Sequence, residues 1–134
     1  PALIQKIHIA KSNHMKEVTA WGSGKALREF LYVDDMARAS IHLMSLDKKI
    51  YNKHTSSMCS HVNVGSGIEL SIKELSQIIK EIVGFKGKII FDLDKPDGAL
   101  RKFLNCARLE NLGFEPKTSL RDGLKKTYKE YTKV

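Results

Sequence analysis

The chain has 134 residues, 42% hydrophobic and 28% charged, with a formal net charge of +8. Its length suits one domain with a single core, and no apolar run approaches the roughly 20 residues of a membrane helix, so no membrane partner is expected. Nucleic-acid readers interleave aromatics with a basic groove, and 7% aromatic content with lysines scattered along the chain excludes that class too, leaving an anionic small ligand open.

The N-terminal stretch is amphipathic and carries no signal-peptide cleavage site. Leu3, Ile4, Ile7 and Ala10 recur at helical spacing, with Lys6 off the stripe. Pro1 suits the first turn of a helix whose cap would lie upstream, so the chain is expected to be a piece of a longer protein. Ser12-Asn13-His14 ends this helix. Glu17 to Trp21 and Arg28 to Val33 read as strands forming a hairpin across Gly22-Ser23-Gly24. Asp34 and Asp35 are expected to cap a helix running to about Leu46, and residues 47 to 60 have no clean period and read as loop.

His61 to Val64 reads as a short strand ending at Gly65-Ser66-Gly67. Ser71 and Glu74 form a capping box for a helix with Ile72, Leu75, Ile79 and Val83 on its apolar face, closed by Gly84. Lys88 to Phe91 is a further strand, and Lys95-Pro96-Asp97-Gly98 is a turn signal. A short helix near Ala107 to Leu112 stops at Gly113, and Ser119 caps a last helix. Helices and strands alternate without repeats or linkers, which predicts a single α/β domain over residues 1–134.

Trp21, the only tryptophan, precedes the Gly22-Ser23-Gly24 turn, and Arg28 follows seven residues later. An aromatic plane and a guanidinium flanking a tight turn suit a base or sugar face and a phosphate. A plain hairpin with a core tryptophan and a surface arginine fits these residues as well. Gly22-Ser23-Gly24-Lys25 is not a phosphate loop, since the upstream glycine and the following Ser or Thr are missing. Neither Gly22-x-Gly24 nor Gly65-x-Gly67 has the third glycine of a dinucleotide fingerprint. His8, His14, His42, His54 and His61 have no ligand spacing with Cys59 or Cys106, so no metal site is expected. The cysteines read as reduced thiols of a cytoplasmic protein, with a structural role for Cys59 and His61.

Three blocks, "WGSGKALREFLYVDDMARASIHL", "NVGSGIELSIKEL" and "FDLDKPDGALRKFLN", carry a resemblance that extends from Pro1 to Val134. The chain resembles the C-terminal half of the GDP-L-fucose synthase family, within the extended short-chain dehydrogenase/reductases. The resemblance implies the α/β substrate-binding portion of such an enzyme, with the Rossmann cofactor half outside this chain. It implies an NADP-dependent epimerase/reductase that converts GDP-4-keto-6-deoxy-D-mannose to GDP-L-fucose, cytoplasmic and homodimeric as a whole. The family's catalytic groups lie upstream, so none is placed here: Tyr32, Tyr51 and Tyr128 lack a lysine four residues on. Cys59 and Cys106 do not match the family's catalytic cysteine. Substrate-binding positions carry over to Lys6, Trp21, Arg28, Asp97 and Lys102. A sibling nucleotide-sugar epimerase or dehydratase, or a stand-alone GDP-sugar binding module, shares the strand motifs.

Overall fold

The computed structural model describes Ala2–Lys133; Pro1, expected in the first helical turn, lies outside the described residues. The elements run α1 (Ala2–Ser12), β1 (Glu17–Trp21), β2 (Leu27–Glu29), α2 (Val33–Ser45), α3 (Lys48–His54), β3 (Glu69–Ser71), α4 (Ile72–Val83), β4 (Lys88–Asp92), β5 (Arg101–Lys102), α5 (Ala107–Asn111) and α6 (Leu120–Tyr131). The fold is mixed α/β with parallel strand pairs. The Cα positions separate into two compact units.

The first unit takes the chain up to Arg28, then Leu70 to Lys102, then the stretch from Arg121 onward. Its core is built from helical stripes. Ile4, Ile7 and Ala10 on α1 are buried, as are Leu75, Ile79 and Val83 on α4. Spacings of three and four residues put each set on one helix face, and α1 packs on α4 and β1. Ser71 accepts from the Glu74 amide while the Glu74 carboxylate returns to Ser71, so α4 starts on the expected capping box and ends at left-handed Gly84. The His8 ring meets the Tyr128 hydroxyl at 3.0 Å, joining α1 to α6.

No hairpin forms. β1 pairs in parallel with β4, Trp21 opposite Asp92, while β2 lies between β3 and β5 in a second sheet. The Gly22 amide continues the β1–β4 ladder by donating to the Asp92 carbonyl at 2.9 Å, so the chain leaves that sheet before it can fold back. The Lys95–Gly98 turn also shifts. The bend falls at Leu93–Asp94, with the Lys95 amide donating to Asp92 at 3.3 Å, and Gly98 is absent from the positive-φ residues.

The second unit holds Glu29–Glu69 and Phe103–Leu120. Ala39, Cys106, Leu109 and Phe114 form its buried cluster, with Leu43, Val62 and Val64 packed against it. Val62 and Val64 thus reach the core from a segment without the strand expected at His61–Val64. The predicted strand through Val33 stops at Glu29, because Tyr32 has the extended backbone of a helix cap. Its carbonyl accepts from the Asp35 and Met36 amides at 3.0 and 3.1 Å.

The aspartates therefore sit inside the first turn of α2 rather than capping it. Asp35 is fully buried and accepts from the Thr118 amide at 2.8 Å, the Lys117 amide at 3.3 Å and the Arg38 guanidinium at 2.5 Å. Residues 48–54, expected as loop, form a helix because the Asp47 carboxylate accepts from the Lys49 amide at 2.7 Å. None of its residues is buried, so it carries no apolar stripe to read.

Candidate functional site

All five residues singled out above lie in the first unit. Trp21 ends β1 and is 68% exposed, so it is no core residue. Lys6, on the solvent side of α1, brings its ammonium to 5.5 Å from the centre of the indole ring. Lys95, from the loop after β4, approaches the same ring at 5.9 Å. Both distances lie within the range of cation–π attraction.

The turn beside Trp21 is held from across the unit. The Asp97 carboxylate accepts from the Ser23 amide at 2.8 Å through Oδ1 and from the Ser23 hydroxyl at 2.6 Å through Oδ2. These two bonds, the hydroxyl bond first and helped by the Lys25 charge, hold the Asp97 carboxyl below its usual range. The approach depends on Gly22. With φ at 77°, the residue is in the left-handed region, and a Cβ there would stand 2.3 Å from Asp97 Oδ1. Only glycine admits both the dihedral and the carboxylate.

Arg28 on β2 is half-buried and donates from Nη1 to the Leu27 carbonyl at 2.6 Å. Its Nη2 lies 3.2 Å from where a Cβ on Gly98 would be, so the guanidinium rests against the loop that carries Asp97. Lys102 is the register partner of Arg28 across β2 and β5. Register partners present their side chains on one face of the sheet, so two cations stand side by side. Like charges in that relation repel, and an anion between them would relieve the cost.

The structure thus groups the five residues in two sets. Lys6 and Trp21 touch directly, and Arg28 stands beside Lys102. The bridge between the sets is Trp21-Gly22-Ser23, then Asp97-Gly98, then the Arg28 guanidinium. Sequence reasoning missed three participants: Ser23, Lys25 and Lys95. Lys95 stands inside the quoted Lys95–Gly98 signal and was legible only as part of a turn. Ser23 gave no signal, because the partner that fixes its role is 74 positions away.

In the second unit Cys59 and His61 have a structural setting. Arg108 Nη1 donates to the Cys59 carbonyl at 3.0 Å, the Cys59 sulfur at 3.1 Å and the His61 carbonyl at 3.1 Å. Burial, then the nearby Glu29 charge, pushes the Cys106 thiol up. Gly65-Ser66-Gly67 surrounds a carboxylate, with Glu29 accepting from the Gly67 amide at 2.7 Å and the Leu104 amide at 3.1 Å. Both Gly-Ser-Gly turns therefore direct backbone N–H groups to a carboxylate of the chain itself. Neither fits a dinucleotide pyrophosphate, which needs such groups for its own oxygens.

With this geometry in view, the chain can be set against known proteins. Residues 1–65 match the model of the NAD dependent epimerase/dehydratase family. Among solved structures, a GDP-mannoheptose C4 reductase from Campylobacter jejuni with NADP bound superposes with a TM-score of 0.83 at 36% identity, over 98% of this chain and 44% of that one. A GDP-L-fucose synthetase from Naegleria fowleri gives 0.83 at 27% identity, over 99% and 38%. The fold is that of the extended short-chain dehydrogenases/reductases.

Within that class the chain resembles GDP-L-fucose synthase along nearly its whole length. It is 50% identical to the putative GDP-L-fucose synthase 2 of Arabidopsis thaliana over 98% of its residues, and 48% identical to the GDP-L-fucose synthase of Escherichia coli over 96%. It spans 37% and 40% of the lengths of those two relatives.

Proposed function

We propose that this chain is the GDP-sugar-binding part of an NADP-dependent epimerase/reductase that converts GDP-4-keto-6-deoxy-D-mannose to GDP-L-fucose. The observation that carries the reading is the coincidence of the cationic, indole-bearing surface with the similarity to GDP-L-fucose synthases. Arg28 and Lys102 would take the diphosphate, with Lys6 at its margin, and Trp21 would supply a flat wall. Asp97 would act chiefly by fixing the turn, with its remaining lone pairs open to a ribose or base donor. NADP, when bound, would supply the hydride, and its site would lie outside the residues of this chain. The chain alone would then lack turnover.

The same reading makes the whole protein cytoplasmic and homodimeric, without a nucleic-acid or membrane partner. Among the described residues no helix is long and apolar enough to cross a membrane. Calorimetric titration of GDP and UDP into the chain and its Arg28→Lys variant tests the site. GDP should bind in preference to UDP. Arg28→Lys keeps the charge but loses the fork, and should weaken GDP by about 1–3 kcal/mol. A fold-intact Arg28→Lys with unchanged GDP affinity would remove the clamp, and equal affinity for UDP would favour a sibling nucleotide-sugar enzyme.

A further inference from the structure

We propose that Lys95 is a further ligand-binding cation, which joins Lys6 on the Trp21 ring to form a subsite for the phosphates of a nucleoside diphosphate. The inference rests on the GDP-sugar reading above and adds a residue to it.

Four observations carry it. Two ammonium groups stand within 6 Å of one ring centre, at 5.5 and 5.9 Å, although that ring is 68% exposed. Solvent would let long lysine side chains part, so their convergence on a single indole concentrates positive charge at one spot. Among the described residues neither lysine is in an ion pair.

The carboxylates nearest in sequence are engaged with their own loops. Asp92 accepts from the Asp94 amide at 3.1 Å, and Asp97 accepts twice from Ser23. The loop holding Lys95 is also anchored at both ends: its amide donates to Asp92 at 3.3 Å, and Asp97 two residues on is latched to Ser23. Its ammonium is thereby delivered to Trp21 by backbone constraint.

Finally, β1 and β4 are parallel, and Trp21 and Asp92 end them in register. The carboxyl ends of parallel strands are where loops gather ligand groups in α/β sheets. On this assignment Trp21 is a shelf for two cations as much as a wall for a base.

The test titrates GDP, GMP and guanosine into the wild-type chain, Lys95→Gln and Lys95→Arg. Lys95 is exposed, so both variants should keep the wild-type melting temperature. Lys95→Gln should weaken GDP about tenfold and GMP less, while leaving guanosine unchanged; Lys95→Arg should stay within about threefold of wild type. Wild-type GDP affinity in Lys95→Gln, with Arg28→Lys still impaired, would overturn this inference and leave the site reading standing. Equal loss for GDP and guanosine would overturn it too, since Lys95 would then act through the indole alone. Failure of the wild-type chain to bind GDP would remove the site reading and this inference together.

Discussion

One Gly-Ser-Gly turn stands in each compact unit, and each folds around a carboxylate from its own unit. At Gly22-Ser23-Gly24 the guest is Asp97, and at Gly65-Ser66-Gly67 it is Glu29. A Cβ on the first glycine of either turn would stand 2.3 Å from a carboxylate oxygen. The surroundings differ. Glu29 joins the amides of Gly67 and Leu104, two backbone segments that need a shared acceptor. Asp97 takes both its bonds from Ser23, beside an exposed tryptophan and a group of cations. The same three letters serve a stitch in one unit and a ligand surface in the other, so the neighbours of the turn decide what it does.

Removing the stitch should have the largest effect. Glu29→Ala leaves two backbone donors without their acceptor and should cost about 2–4 kcal/mol of stability, two charged hydrogen bonds at a central value. The melting temperature should drop, while GDP affinity in the folded fraction stays at the wild-type level. A large loss of GDP affinity in Glu29→Ala would mean that the two turns are not separable in function.

Gly22→Ala comes next. It places a Cβ at φ 77° and displaces Asp97, which should cost about 1–3 kcal/mol of stability. Unlike the Glu29 change, it should also weaken GDP binding, because the loop carrying Lys95 loses its anchor. Calorimetric titration beside a thermal melt separates the two effects. Gly22→Ala with wild-type GDP affinity would contradict the positioning role of the latch.

Trp21→Ala sharpens the contrast from the opposite direction. An indole that is 68% exposed supports little of the core, so stability should change by no more than about 0.5 kcal/mol. GDP binding should nevertheless weaken. Had the tryptophan been a core residue, the same change would cost several kcal/mol, roughly 3–5.

The smallest effect near neutrality concerns pH. Burial raises the Asp35 carboxyl, but the hydrogen bonds from Thr118 and Lys117 together with Arg38 outweigh it, so its folded value is lowered from 3.8. Asp97 is also lowered from 3.8 by Ser23. A depressed folded value means that the stabilisation is complete above the unfolded value and is lost as pH falls through the folded one. The melting temperature should therefore owe nothing to these groups' titration above about pH 5 and fall below about pH 4. Asp35→Asn should flatten that acid limb; an unchanged limb would exclude Asp35 as its source.

Much of this was legible in the sequence where local physics decides. The stripe Leu75, Ile79, Val83 with its Ser71–Glu74 box and Gly84 specifies α4 nearly to the residue. β1 and β4 were readable as strands, since five-residue segments with alternating burial suffice. Their pairing was not, because the parallel partner of Glu17 is Lys88, and register between strands so distant is set by packing. The apolar run Phe30–Val33 looks like strand, yet the tertiary contacts of Glu29 and the buried acceptor Asp35 set where β2 ends and α2 begins. Trp21 and Arg28 were recognisable as site candidates by residue type and spacing. Ser23 and Lys95 needed the fold, since each takes its meaning from a partner more than seventy positions away.

The most direct measurement uses Trp21 as its own reporter, since the chain has no other tryptophan. Its fluorescence should be followed during a GDP titration at low and at high salt. GDP should change the emission saturably, and the apparent Kd should weaken several-fold as salt screens the cations around the ring. Saturable emission change with a salt-independent Kd, or none at all when calorimetry shows GDP bound, would contradict a cationic ligand site built around Trp21.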